Sequence, residues 1–402
     1  METIAVIFGG RSVEHEVSVV TALQVMENLD GQRFHALPVY IAKDGMWYSH
    51  PEFTKVESFR KDRLPSLLRQ ASRVRWEPVP GSVLRLEPQE TEERRGWFGK
   101  SKGPQVSEIA VDAVIPALHG TYGEDGALQG FLELTGVPYT SAGIVGSAVG
   151  MDKIVMKSVF RGCGIPVVPY EWFTRDAWEH DPDAILTRLT GRLQYPMFVK
   201  PCNLGSSVGI SRAEDEAGLR QAIEIACHYD TRILVEQGIE RPIEVNVSVL
   251  GDETSSRVSL CERPVSWEKF LTYDDKYIRG NFNKGSGAAR EIPARLPGGV
   301  TERVQSLAQQ AFHAVQARGV VRVDFLVTED GEVFVNEINT IPGSFAFYLW
   351  EPAGLTYTQL LTELIDIAKR DAERRRRNVT TFDTDLLEKF QQGGKLGKMG
   401  KM

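Results

Sequence analysis

Residues 320–340 read VVRVDFLVTEDGEVFVNEINT, and this stretch organises the rest of the chain. Two β-rich runs, 320–327 and 332–338, flank Thr328-Glu329-Asp330-Gly331, and Asp330-Gly331 is a strong hairpin signal. Side chains alternate along a strand. Arg322 and Asp324 therefore share one face, while Val321, Val323 and Phe325 share the other. On the second run Glu337 and Asn339 share a face, with Val335 beside Glu337. One face of an apolar hairpin thus gathers two carboxylates, an amide oxygen and a guanidinium. Crowded carboxylates repel and are costly to bury unpaired. A hard cation resolves this, and Mg²⁺ prefers oxygen ligands while leaving places for phosphate oxygens and water. Asp324, Glu337 and Asn339 are the candidate metal ligands. A surface Arg–carboxylate cluster is the plainer reading of the same residues.

A second feature lies upstream. Lys200 closes a buried strand candidate at 196–200 and is followed by Pro201-Cys202-Asn203-Leu204-Gly205-Ser206-Ser207-Val208-Gly209. Gly205 and Gly209 permit close backbone approach, and the Ser206 and Ser207 hydroxyls add to the backbone N–H groups, so the loop can cradle phosphate oxygens. Lys200 supplies a point charge from a strand. The Walker pattern and a Gly-x-Gly-x-x-Gly after the first strand are both missing. A plain Gly/Ser turn remains the alternative for the loop alone. Taken with the acidic hairpin, phosphate is the better reading.

The remaining sequence bounds the setting. The chain has 402 residues, 47 Lys+Arg against 54 Asp+Glu, a net charge of −7 and 42% hydrophobic residues. That composition excludes a disordered or fibrous protein and predicts two or three units around more than one core. The mild acidity argues against a general nucleic-acid binder, and no apolar run is long enough to span a membrane. The N-terminus has no basic region before its apolar run and does not read as a signal peptide. Cys163, Cys202, Cys227 and Cys261 form no CxxC pair or zinc spacing, which predicts free thiols in a reducing cytoplasm.

Strand candidates at 4–8, 34–42 and 111–118 alternate with helices through about 29 and at 124–134, predicting a parallel sheet with crossover helices. Residues 54–108, rich in charge and proline with a short strand at 83–86, read as a solvated elaboration of this first unit. Further expectations are a helix from 151 to 162–164, a strand at 208–211 pairing with 196–200, and a helix at 214–227. Strands at 233–236 and 243–250 follow, then helices at 302–318 and 356–370. The expected units are 1–150, 151–240 and 241–372, with 373–402 a mobile basic tail.

Several motifs recur in one order. They are Gly9-Gly10 with Glu14-His15-Glu16-Val17-Ser18, Ala117-Leu118-His119-Gly120 with Gly123-Glu124-Asp125-Gly126, and Met151-Asp152-Lys153. The Lys200 loop, Lys276-Tyr277, Arg322-Val323-Asp324, and Asn336-Glu337-Ile338-Asn339-Thr340 with Pro342-Gly343 follow. Over about residues 3–370 the chain resembles the D-alanine–D-alanine ligase family of the ATP-grasp superfamily. The resemblance implies an α/β ATP-grasp fold of three subdomains, with ATP between the central and C-terminal ones. It implies an ADP-forming ligase for peptidoglycan precursors, cytoplasmic and homodimeric, acting on small molecules through a D-alanyl phosphate. The sibling activity it leaves open is ligation of D-alanine to D-lactate, D-serine or another amino acid.

By resemblance Lys153, Lys200, Ser206, Ser207 and Lys276 contact ATP. Glu236, Gln237 and Ile239 border adenine, Phe270 covers the base and Glu244 meets the ribose. Asp324, Glu337 and Asn339 hold Mg²⁺, usually two ions, with Mn²⁺ as a substitute. Glu16 orients the first D-alanine, Ser206 and Tyr277 are its hydrogen-bonded partners, and His119 lies near substrate. Arg322 and the Gly343 N–H stabilise the tetrahedral intermediate, and 268–284 is the candidate lid. One departure stands out. Family members carry a serine–leucine pair for the second substrate's carboxylate where this chain has Tyr348 and Leu349.

Overall fold

In the computed structural model, which describes residues 1–89, 106–265 and 289–391, the first apolar run becomes β1 (Glu2–Gly9). It pairs in parallel with β2 (Phe34–Ile41) and β7 (Ala113–Pro116). Ile4, Val6 and Phe8 enter one core and Ala5 and Ile7 another, as expected of a strand covered on both faces.

The sheet is mixed rather than wholly parallel. β3 (Trp47–Ser49), β4 (Ser72–Trp76), β5 (Leu84–Glu87) and β6 (Ser107–Ile109) extend it in antiparallel fashion, giving the order β6-β5-β4-β3-β2-β1-β7. Antiparallel neighbours need no crossover helix, so an insertion can widen a sheet this way at small cost in chain. Trp47 and Trp76 pack edge-on against Phe131, while Arg75–Glu87 and Arg85–Glu108 pairs line the exposed face.

The central sheet joins β8 (Tyr170–Thr174), β9 (Met197–Pro201), β10 (Ser211–Ala213) and β11 (Arg232–Gln237) in the order β10-β9-β11-β8. β10 begins later than the sequence predicts because Ser206 and Ser207 are left-handed and Gly209 has φ 73°, which keeps the chain turning. The helix Glu216–Cys227 backs this sheet, and Asp215 caps it by accepting from the Gly218 N–H at 2.8 Å.

The third sheet contains β12 (Ile243–Gly251) and β13 (Ser256–Val258); β14 (Arg263–Val265) and β15 (Ala289–Glu291) form a separate antiparallel pair. β16 (Gly319–Val327) and β17 (Val333–Asn339) are the hairpin read from the sequence, and complete the order β13-β12-β16-β17. The helix Val300–Ala314 covers it with Val304, Leu307, Ala308, Ala311 and Phe312. That helix stops short of 318 because Gln316 turns left-handed at φ 55°. The last long helix, Tyr357–Arg376, starts at a Thr356/Gln359 capping box and runs beyond 370. Its Leu360, Leu361, Leu364 and Ile365 share a core with Ile4, Val6 and Phe8, so the C-terminal chain returns to the first sheet.

Among the described residues no helix is long and apolar enough to cross a membrane. All four cysteines are free. Phe270, Lys276, Tyr277, the 268–284 lid candidate and residues 392–402 of the tail lie outside the described residues.

Candidate active site

The β16–β17 hairpin places Arg322 opposite Asn339 and Asp324 opposite Glu337. Arg322 donates to both Asp324 oxygens, from Nε at 2.6 Å and Nη2 at 2.7 Å, and Asn339 Nδ2 donates to Asp324 Oδ2 at 3.1 Å. All four side chains share one face, as alternation predicts.

Alternation then breaks. The register shifts beyond Asp324, so that Phe325 faces Val335 and Asn336 is the extra residue of a bulge. Val335 therefore leaves the Glu337 face expected for it and joins the apolar core with Phe325. The bulge aims Asn336 at the lysines. Lys200 Nζ donates to Asn336 Oδ1 at 3.2 Å, and Lys157 Nζ to the Asn336 carbonyl at 3.4 Å.

Glu236 sits between these two ammonium groups, 2.6 Å from Lys157 and 2.5 Å from Lys200. Burial alone would raise the Glu236 pKa, but the two lysines reverse this and hold the carboxyl well below its usual range. Burial lowers the Lys157 pKa, and Glu236 only partly offsets it. Glu236 thus stands behind the site as the lysines' counter-ion, with Gln237 and Ile239 half-buried after it and Glu244 exposed at the start of β12.

The Gly/Ser loop is braced at its base. Asp152 caps the helix Lys153–Gly162, accepts from Cys202 Sγ at 3.0 Å and pairs with Arg232. Lys153 reaches across to the Leu204 carbonyl at 2.6 Å. Burial and the Asp152 contact push the Cys202 thiol up to about 12, so it remains a neutral packing group.

The first unit meets this loop through Glu14. Ser206 Oγ donates to Glu14 Oε1, and a Cβ on Gly205 or Gly120 would lie 2.6 Å from Glu14 Oε2. The carboxylate is therefore cradled between two glycines, one of them at φ +69°. Glu16, the residue expected here, points elsewhere. It lies in the first turn of the helix His15–Asn28, its side chain is 77% exposed, and it faces Lys43 at 3.5 Å. Of the two acids it is Glu14 that meets the Gly/Ser loop. Glu14, Glu124, Lys153, Gly205, Glu337 and Asn339 line one pocket. Glu124 accepts from the Gly120 and Ile341 N–H groups, each at 2.9 Å, while burial and the nearby Glu14 push its pKa up to about 8.

His119 is buried, with both ring nitrogens engaged by the protein. Its Nδ1 meets the Ile341 carbonyl at 2.9 Å and its Nε2 the Thr21 hydroxyl at 2.8 Å, so both ring nitrogens are used in scaffolding. Burial lowers its pKa to about 4, leaving the ring neutral at pH 7. The chain it supports is unusual. After half-buried Gly343, residues Ser344, Phe345 and Ala346 are all left-handed, at φ 52°, 54° and 50°. Such residues cost roughly 1–2 kcal/mol each. Ser344 is held by the Thr21 hydroxyl at 3.2 Å and by Gln24. Leu349 is buried in the apolar core, whereas Tyr348 stays half-buried beside Arg290.

The sequence does not single out Lys157, and it offers Glu14, Glu124 and Asn336 as motif residues with no assigned role. Lys157 had one available signal, its i+4 spacing from Lys153 on the same helix.

An acidic, arginine-backed hairpin facing a strand-borne lysine and a Gly/Ser loop across two adjacent sheets is the layout of an ATP-grasp enzyme. Family models described as the D-ala D-ala ligase N-terminus and C-terminus match residues 3–142 and 159–366. A protein of Natranaerobius thermophilus called D-alanine–D-alanine ligase is 37% identical, covering 94% of this chain and 98% of its own. The D-alanine–D-alanine ligase structure from Coxiella burnetii superposes with TM-score 0.75 at 29% identity, covering 97% of this chain and 98% of that one. The VanG D-Ala:D-Ser ligase of Enterococcus faecalis gives TM-score 0.72 at 30% identity, covering 91% and 99%. The chain belongs to the D-alanine–D-alanine ligase family.

The two acids of the first motif separate cleanly by experiment. Glu14→Gln weakens a charge-assisted contact to Ser206 and lowers kcat/KM for D-alanine by about 30-fold. Glu16→Gln removes an exposed pair and stays within about twofold. Steady-state ADP release from both variants checks this; a loss in Glu16→Gln with Glu14→Gln spared would point to Glu16 instead.

Proposed function

We propose that the protein joins two D-alanine molecules with consumption of ATP, for peptidoglycan precursor synthesis in the cytoplasm, and that it works as a homodimer. The observation that carries this reading is the Ser206–Glu14 bond, which brings the Gly/Ser loop onto the first unit beside the Glu337 and Asn339 face. A carboxylate is a poor electrophile. An oxygen of the first D-alanine's carboxylate attacks the γ-phosphorus of ATP, and ADP leaves. The second D-alanine's amine then attacks the acyl carbon, phosphate leaves, and the nitrogen gives up a proton.

Phosphoryl transfer mainly needs alignment and charge neutralisation, which Lys153 and Lys200 supply with the N–H groups of the Gly/Ser loop. Asp324 and Glu337 lie directly opposite one another in register, a like-charge pairing that a cation relieves. Among the described residues no three acids, histidines or cysteines form a cage. The donor set of two carboxylates and one amide fits Mg²⁺ sharing its remaining places with phosphate and water. Bound there, one or two such ions would neutralise charge on the phosphate oxygens.

Glu14 holds the first amino acid's ammonium, steered by Ser206. Arg322 and the Gly343 N–H face the oxyanion of the second step. Gln237, Ile239 and Glu244 serve the base and ribose end, and Glu236 beside them holds Lys157 and Lys200 in place. Phe270, Lys276 and Tyr277 take the base-covering and closing roles implied by resemblance.

The test is mass spectrometry of products from D-alanine and ATP, alone and with D-serine and D-lactate in competition. D-alanyl-D-alanine with equimolar ADP is the expected result. A dominant D-alanyl-D-serine or depsipeptide product would replace the acceptor, and absence of ADP with every amino acid would overturn the reading.

A further inference from the structure

The hairpin face has two flanks. On the β17 side stand Glu337, Asn339 and, through Asn336, the lysines. On the β12 side Asn246 pairs with Asp324 in register and donates from Nδ2 to Glu262 Oε2 at 3.1 Å. Glu262, buried at 3% side-chain exposure, meets Arg290 Nε at 3.4 Å. The Arg290 guanidinium lies 4.0 Å from the centre of the Tyr348 ring. Arg322 and Asp324 thus divide a phosphate flank from a flank that ends in an arginine stacked on a tyrosine.

We propose that Arg290 binds the carboxylate of the second amino acid, with Tyr348 and Glu262 as positioning residues. The inference rests on the ligase reading above. With the phosphates on the lysine flank, the incoming amine approaches the acyl carbon from the other side, where Arg290 stands. The guanidinium is flattened against an aromatic face and engaged by Glu262 on its Nε edge, its one ion pair among the described residues. Its side chain remains 30% exposed, and a guanidinium is a planar fork of the kind that matches a carboxylate. Tyr348 stands where family members carry a serine, and in this chain the ring's work is to seat the arginine. No bond is made or broken at Arg290.

Competition between D-alanine and D-alaninamide tests this. The amide has no carboxylate and serves only as acceptor, so both acceptors draw on the same activated D-alanine, and the ratio of the two products does not depend on how much enzyme is folded. Wild-type enzyme should favour the dipeptide. Arg290→Ala should lose about 30-fold of that preference, the equivalent of one charge-assisted contact. Arg290→Lys should retain part of it. Tyr348→Phe, which keeps the ring, should hold the wild-type ratio, and Tyr348→Ala should lose it. Should Arg290→Ala fail to fold, Arg290→Met, which keeps the apolar stem, replaces it in the same assay. A ratio within threefold of wild type in the arginine variant overturns the inference while leaving the ligase reading intact. A wild-type enzyme that makes neither product overturns both.

Discussion

Glu337→Gln should reduce D-alanine-dependent ADP release about a thousandfold, the scale of several kcal/mol of lost charge stabilisation. The substitution keeps the shape of the side chain and removes one of the two charges that face each other across β16 and β17. Its specific signature is in cation binding. Mn²⁺ titrated in the presence of ATP should bind far more weakly to the variant, while the far-ultraviolet spectrum stays unchanged. Asp324→Asn should behave alike in ADP release, with an added loss because the paired charge-assisted bonds from Arg322 Nε and Nη2 to the Asp324 carboxylate are weakened. ADP release near the wild-type rate in Glu337→Gln would remove the metal from this face and leave the Arg–carboxylate cluster as a surface feature.

The contrast between what alternation reveals and what it hides is clearest at this hairpin. A turn at Asp330-Gly331 and a period of two were enough to put Arg322, Asp324, Glu337 and Asn339 together, because those signals are local. The bulge at Asn336 was not legible. It depends on Val335 being drawn into a core built by Val323, Phe325 and Ile338, a tertiary demand with no local trace. Glu14 and Glu16 show the same limit. Both acids lie in one motif, and only the way the helix His15–Asn28 seats on the sheet, with His15 between Gly10 and Tyr40, turns one acid inward and the other to solvent. The widened first sheet escaped notice because short antiparallel strands rich in charge look like loop when read singly. The departure at Tyr348 was visible as a substitution, but its meaning required Arg290, which the sequence places 58 residues away and the fold places on its ring.

Glu236→Gln should cost about 3–5 kcal/mol of stability at neutral pH, the scale seen when a buried ion pair loses one partner. Glu236 is 3% and Lys157 1% exposed at the side chain, so the charge left behind has little access to water. The pH dependence identifies the cause. In the folded protein burial already lowers the Lys157 pKa, and removing Glu236 removes the main influence raising it. The folded variant then binds fewer protons than the unfolded chain, whose lysine stays charged to about pH 10. Where the unfolded state binds more protons, stability rises with pH. The deficit of Glu236→Gln against wild type should therefore be largest near neutrality and shrink as pH is raised from 7 toward 9.5. Urea unfolding of both proteins at the two pH values measures this. A deficit that does not change with pH would mean that the cost is lost packing and hydrogen bonding, and that Lys157 is not the charge left stranded. The same variant should turn over poorly, since Lys200 loses the carboxylate that fixes its ammonium beside Asn336, and Glu236→Asp should recover less activity than stability because the shorter arm cannot reach both lysines.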